Sequence, residues 1–321
     1  MDPLSELLRL AEVSAHISAG LIGRGRWSVA FDAPVGVKFN AVLRGHCVLR
    51  SGNDIIELKA GDCFLLSASR PFVIATDLDA LPRPAGEVFS LLDTDGTAHI
   101  GGGRDNYEDC VSLIGGRFDF GTRARALLID QLPPVLHISS DRPEAATIRS
   151  SVALINTEMR SREAGAEIVA ESVALAMLVG VLRMQVVSGP RVARGLLGGL
   201  HNPIVAAAIA LIHAQPAHRW TVGELASATS VSRSTLASHF MSAVGVGPLG
   251  YLTSWRMELA AHRLRQGTDP ISAIADSVGY SSDSAFSVAF KRVIGESPDA
   301  FRRHEQTRHT SIQKAACGSL N

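Results

Sequence analysis

The side chains able to bind a metal or carry a redox step are few, and their spacing argues against both. Cys47, Cys63, Cys110 and Cys317 form no Cys-x-x-Cys pair, the arrangement that closes two thiolates on one zinc ion. His46, His99 and His137 are dispersed, with no pair at ligand spacing, and read as surface or structural residues. Cys47 and Cys63 are expected on neighbouring strands, where they could report redox state, although buried inert thiols are the simpler reading. Gly101-Gly102-Gly103 reads as a loop without the strand–turn–helix setting of a phosphate cradle.

A different pattern occurs twice. Thr221-Val222-Gly223-Glu224 is a capping box, in which a hydroxyl and a carboxylate satisfy the first free N–H groups of a helix. Leu225 and Ala226 start that short helix, Ser230-Val231 makes a tight turn, and Ser232 can cap a second helix with Leu236 and Phe240 on its core face. Further on, Ile271, Ile274 and Ala275 make a short helix and Val278-Gly279-Tyr280 a turn, and Ser282 caps a helix carrying Phe286 and Phe290. Short helix, tight turn, capped helix is the helix-turn-helix plan. A helix over Pro248 to Gly267, with Leu252, Trp255, Leu259 and Leu264 for a core, would join the two units rigidly. Two such units reading one face of a duplex must stand roughly one turn, about 34 Å, apart.

The rest of the chain must support this pair. Its 321 residues allow two domains, and 46% apolar residues suffice for real cores. Thirty-one basic and thirty-one acidic residues balance, so the chain as a whole advertises no polyanion partner; a local basic surface remains allowed. From Trp27 to His137 short apolar runs alternate with turn signals such as Ser51-Gly52-Asn53-Asp54 and Ala60-Gly61-Asp62, which predicts a sandwich or small barrel. Beyond Pro143 the apolar period becomes helical through Ile148, Val152, Ile155 and Met159. Gly165 breaks the run, and a second helix from about Ala166 to Val187 is apolar on several faces and must be buried, in the protomer or against a partner. Glu171 and Arg183 interrupt this stretch, so no membrane span is expected, and the N-terminus does not read as a signal peptide. Ser188-Gly189-Pro190 and Gly198-Gly199 predict a linker. Pro203 opens a helix that runs to about His213, and Pro216 stops it. Trp220 and Trp255 are expected in the core.

The last hundred residues resemble the DNA-binding domain of the AraC/XylS family. The matching residues include Trp220-Thr221-Val222, Leu225-Ala226, Ser232-Arg233-Ser234, Gly245, Pro248, Tyr251-Leu252, Trp255-Arg256-Met257, Val278-Gly279-Tyr280, Ala289-Phe290-Lys291-Arg292, Gly295, Ser297-Pro298 and Phe301-Arg302. The front resembles the cupin-like ligand domain of one branch of that family, through Lys38-Phe39-Asn40-Ala41-Val42-Leu43-Arg44-Gly45, Ala60-Gly61-Asp62 and Leu132-Pro133-Pro134-Val135-Leu136-His137.

This resemblance implies an α+β protein. Residues 1–140 would be a cupin-like effector-binding β-barrel, 141–190 a helical packing and dimerisation segment, and 191–202 a linker. Residues 203–306 would be an all-α domain with two helix-turn-helix units, and 307–321 a disordered tail. In the family's geometry the DNA-facing residues of the first unit are Ser232, Arg233, Ser234, Ala237 and Ser238, with His239 beside them. Those of the second are Ser282, Asp283, Ser284, Ser287 and Val288, with Lys291 and Arg292 further along. Ser238 and Val288 stand where many relatives carry arginine. This implies modest, salt-dependent binding that relies on Arg233, Lys291, Arg292, Arg302 and Arg303.

The partners implied are double-stranded DNA, RNA polymerase, a small-molecule effector of unknown identity bound at unknown residues, and a second copy in a homodimer. The location implied is the cytoplasm. Metal-holding cupins use histidines and a carboxylate, but Ala33 to Arg44 contains no His, Asp or Glu, and Pro71-Phe72 stands where many place a histidine after proline. No cofactor, metal or catalytic residue is therefore expected. A cupin-type enzyme fused to a helix-turn-helix domain is the alternative, and an interaction module that has lost DNA binding is a third reading.

Overall fold

The computed structural model describes residues 2–102, 110–121, 125, 128–187 and 194–307. They form two compact units, one of Ala11–Ala193 and one in which Met1–Leu10 joins Arg194–Asn321. The chain opens on α1 (Pro3–Leu10), an element the sequence pattern missed, which packs with the C-terminal unit.

Among the described residues, eleven strands build the other unit. They are β1 (Ser14–Arg24), β2 (Ser28–Phe31), β3 (Val37–Arg44), β4 (His46–Ser51), β5 (Asp54–Lys59) and β6 (Cys63–Leu66). After these come β7 (Phe72–Ala75), β8 (Arg83–Pro84), β9 (Thr97–Ile100), β10 (Cys110–Asp119) and β11 (Val135–Ile138). One sheet runs β11-β6-β3-β10-β1-β9 and the other β5-β4-β7-β2-β8. Strand β4 shows why the pattern folds this way: Cys47, Leu49 and Ser51 point inward and alternate with more exposed neighbours, the period of a pleated strand. The expected turn at Ser51-Gly52-Asn53-Asp54 closes the β4–β5 hairpin. Trp27, Leu49, Phe64, Ile74 and Leu113 are buried between the sheets.

The β region thus begins at Ser14, ahead of the expected Trp27. The first strand was hidden because its run Ser14 to Arg24 mixes small and polar residues with few large apolar ones. The two cysteines expected on neighbouring strands lie in different sheets, Cys47 on β4 and Cys63 on β6. Similar turn signals flank both strands, and they could not reveal which sheet each strand joins.

A short helix α2 (Ala85–Val88) follows β8. After β11, a single 3-10 turn (Pro143–Ala145) leads into α3 (Ala146–Ser161) and then α4 (Ala166–Val187). Ile148, Val152 and Ile155 of α3 are buried as their spacing predicts. Leu154, Ile168, Val169 and Val187 stay exposed, with Ile168 at 70%. No helix among the described residues is long and apolar enough to cross a membrane.

The C-terminal unit is helical: α5 (Leu196–His201), α6 (Pro203–Ala214), α7 (Val222–Ala228), α8 (Arg233–Ala243), α9 (Pro248–Gln266), α10 (Ile271–Ser277) and α11 (Asp283–Ile294). A last helical stretch, α12, covers residues 298–307. Gly198 and Gly199, expected in a linker, lie buried within α5. A Cβ on Gly199 would press on Ile209 Cδ1 at 2.7 Å, so the glycine here serves close packing and not chain flexibility. Ser188-Gly189-Pro190, Gly103, Cys317 and all but the first residue of the expected tail lie outside the described residues; Thr307 is helical.

Candidate nucleic-acid interface and barrel cavity

Both helix-turn-helix units assemble as their residues dictate. Thr221 Oγ1 accepts from Glu224 N at 3.1 Å while Glu224 Oε2 accepts from Thr221 N at 2.7 Å, so the capping box of α7 is complete. Ser230 takes a left-handed φ of 56° in the turn, and Ser232 Oγ then accepts from Thr235 N at 3.1 Å to cap α8. Ser282 Oγ accepts from Ala285 N at 3.3 Å and caps α11 in the same way. Each such cap is worth about 1 kcal/mol. Leu236 and Phe240 are fully buried beneath α8, as Phe286 and Phe290 are beneath α11. Burying each of these side chains contributes roughly 1.5–3 kcal/mol.

Helix α9 joins the two units. Its nineteen residues span roughly 28 Å at 1.5 Å per residue. Tyr251 and Trp255, in its first half, pack with the first unit: Tyr251 lies 6.1 Å from the Phe240 ring, and Trp255 stacks on His213 of α6. Met257, Ala260, Ala261 and Leu264 of α9 enter a core with Ile274, Phe286 and Phe290 of the second. Arg256 crosses between them: Nε donates to Pro216 O at 2.7 Å, Nη2 donates to His218 O at 2.9 Å, and the guanidinium lies 5.7 Å from the Tyr280 ring centre. Burial lowers the pKa of Arg256 from its ordinary value.

The outward faces of α8 and α11 differ in charge. Ser232, Arg233, Ser234 and Ser238 are exposed, while Ala237 and His239 are half-buried. The Arg233 guanidinium lies against Gly223 of α7. Nδ1 of His239 takes a hydrogen bond at 2.9 Å from Asn202, whose Oδ1 caps α6, so His239 is tied into the fold by one ring nitrogen. Ser282, Asp283, Ser284, Val288, Lys291 and Arg292 are exposed and Ser287 is half-buried. Val288 is 70% exposed, an apolar side chain in the middle of a polar face. Arg303 is exposed, whereas Arg302 is half-buried and donates from Nη2 to Asp269 O. Trp220, expected in the core, is only half-buried, with Nε1 donating to Gln215 O.

A cavity of about 280 Å³ lies between the two sheets and α2 in the barrel. Leu21, Phe31, Ile74, Phe89 and Leu113 supply apolar walls, and Ser18, Lys38 and Asn40 are the polar lining. These three were missed as site residues. The signal was present in β3, where Lys38 and Asn40 interrupt the apolar run Val37, Phe39, Ala41 and Val42.

Among the described residues no three His, Cys, Asp or Glu side chains lie close enough to share an ion. His137 instead meets Asp62 at 3.1 Å and His99 meets Asp93 at 2.6 Å. Burial pushes the thiols of Cys47 and Cys63 up to about 12.

A barrel followed by two capped, outward-facing helices on one rod defines a ligand-domain protein with a DNA-reading module. The Cupin family model matches residues 2–186 and the Helix-turn-helix domain model residues 225–304. Two Streptomyces proteins named AraC-like transcription regulators are similar along nearly their whole length. The one from Streptomyces antibioticus is 48% identical over 306 residues, covering 95% of this chain and 99% of its own. That from Streptomyces lividans is 47% identical with the same coverage. The solved C-terminal domain of AraT, a response regulator from Geobacillus stearothermophilus, is 35% identical, covers 32% of this chain and 86% of its own, and gives a TM-score of 0.32. The chain belongs to the AraC-like transcription regulators, with a Cupin N-terminal domain and a helix-turn-helix C-terminal domain.

Proposed function

We propose that this regulator reads operator DNA with α8 and α11 in successive major grooves and activates transcription when the barrel holds a small-molecule effector. The observation that carries the reading is the attachment of both capped helices to α9, with their polar faces exposed. Serine hydroxyls and free N–H groups at the two helix starts suit phosphate oxygens. Arg233 would read guanine or hold phosphate, and the exposed Val288 suits the methyl group of thymine. Lys291, Arg292 and Arg303 add backbone charge. Footprinting on the DNA upstream of the chain's own gene tests this, since protection of two adjacent major-groove segments is expected and protection of none would reject it.

The cavity of about 280 Å³ supports effector binding. Exposed Leu154, Ile168, Val169 and Val187 on α3 and α4 support pairing of two copies, the commonest assembly. Activation through RNA polymerase, a cytoplasmic location and the lack of an enzymatic reaction complete the reading. A monomer across micromolar concentrations in analytical ultracentrifugation would reject the pairing.

A further inference from the structure

We propose that the barrel cavity is a site for a monocarboxylate with a compact apolar body, its carboxylate held between Lys38 and Asn40. This deepens the effector reading above and rests on it.

The geometry comes from three adjacent strands. Asn40 of β3 pairs with Gly115 of β10, which pairs with Ser18 of β1, so the three stand in one row across the sheet. Lys38 lies two residues before Asn40 on β3 and therefore on the same face. Its Nζ donates to Ser18 Oγ at 3.1 Å. Asn40 is only 7% exposed, and its Nδ2 is buried without a hydrogen-bond partner. Leaving such a donor unmade costs about 1–3 kcal/mol. A Cβ at position 115 would collide with Asn40 Oδ1, so glycine is what lets the amide lie across β10 into the cavity.

Among the described residues, the charges around Lys38 leave it without a counter-ion. Arg117, its partner across β10, is matched by Asp119 at 3.0 Å, and Asp119 and Glu171 of α4 flank His16 of β1 at 3.3 and 3.2 Å. No carboxylate among the described residues pairs with Lys38. Burial, with Arg117 adding to it, brings Lys38 down to about 8. One unmatched cation and one orphan donor suit a single carboxylate, one oxygen to each. A dianion would carry a second charge with no partner, which a buried site penalises. The remaining wall, with Leu21, Phe31, Ile74 and Phe89, suits a hydrocarbon or aromatic body. At roughly 30 Å³ per water-sized group, the cavity holds about ten non-hydrogen atoms.

The test is calorimetric titration of the full chain with sodium octanoate and with 1-octanol, a neutral analogue of the same length. At pH 7 octanoate should bind at least about tenfold tighter. Lys38→Met should abolish that preference while leaving octanol binding unchanged, Lys38→Arg should retain it, and Asn40→Leu should reduce it. Should the Lys38→Met chain fail to fold, the wild-type preference must still decline as pH rises past about 8, where octanoate stays charged and the free amine loses its proton. Equal binding of the two probes, or a preference that survives both Lys38→Met and high pH, would overturn the proposal. A parallel gel shift on operator DNA separates the two readings: lost carboxylate preference with intact DNA binding removes this site alone. Intact preference with no DNA binding supports the site and removes the operator-reading proposal.

Discussion

The imidazole of His213 stacks on the indole of Trp255 with ring centres 3.7 Å apart and planes 11° from parallel. The same ring meets Tyr251 Oη at 2.8 Å through Nε2 and Glu6 Oε2 at 2.8 Å through Nδ1. One histidine of α6 thereby fastens α1 and the first half of α9, the rod that joins α8 and α11. Burial lowers His213 to about 3, so at neutral pH it is an uncharged link: Nδ1–H donates to Glu6, and Nε2 accepts from Tyr251.

That link makes the C-terminal unit acid-sensitive. The folded value lies below the ordinary 6.5, so the unfolded chain takes up the proton first. The stability is present above the unfolded histidine's pKa of about 6.5 and is lost as pH falls from there toward 3. Burial raises Glu6, which acts in the opposite sense, so the window to compare is the one around and just below pH 6.5, where the unfolded chain's histidine takes up its proton. Urea unfolding across it should show a midpoint that drops with acid in the wild type and much less in His213→Phe. Identical slopes would contradict the neutral link.

Arg233 and Asp283 occupy the same first position of α8 and α11, with opposite charges. Arg233→Ala should weaken operator binding, by about 1–3 kcal/mol with relaxed specificity where it reads guanine, or uniformly with a salt slope lower by about one where it holds phosphate. Asp283→Asn should strengthen binding at every sequence, because it removes a repulsion toward phosphate. Gel-shift titrations at several salt concentrations check both, and an unchanged affinity for Arg233→Ala would remove it as a contact.

Cys47 and Cys63 should be poor sensors. Both are buried, and their thiols are pushed up to about 12, so the reactive thiolate is scarce at neutral pH. Mass spectrometry after brief maleimide treatment should find both unmodified in the folded chain and modified in urea. Fast modification without denaturant would restore a redox role.

The reading module was legible because its signals are local. A tight turn, a capping serine and an apolar residue one helical turn on sit within a dozen residues, and Ser232 and Ser282 cap as the spacing demands. The barrel was legible as strands but not as a site. The row Asn40, Gly115, Ser18 joins residues far apart in sequence, and only strand pairing brings them together. Helix α1 was illegible for the same reason, since Glu6 finds His213 across most of the chain.

The most direct test of the paired reading heads is to change the spacing of their half-sites. Once footprinting has located two protected segments about one helical turn apart, five base pairs inserted between them rotate one half-site to the far side of the duplex. With α9 as a rigid rod, affinity should fall to that of a single half-site. Undiminished binding to the inserted duplex would contradict the rod.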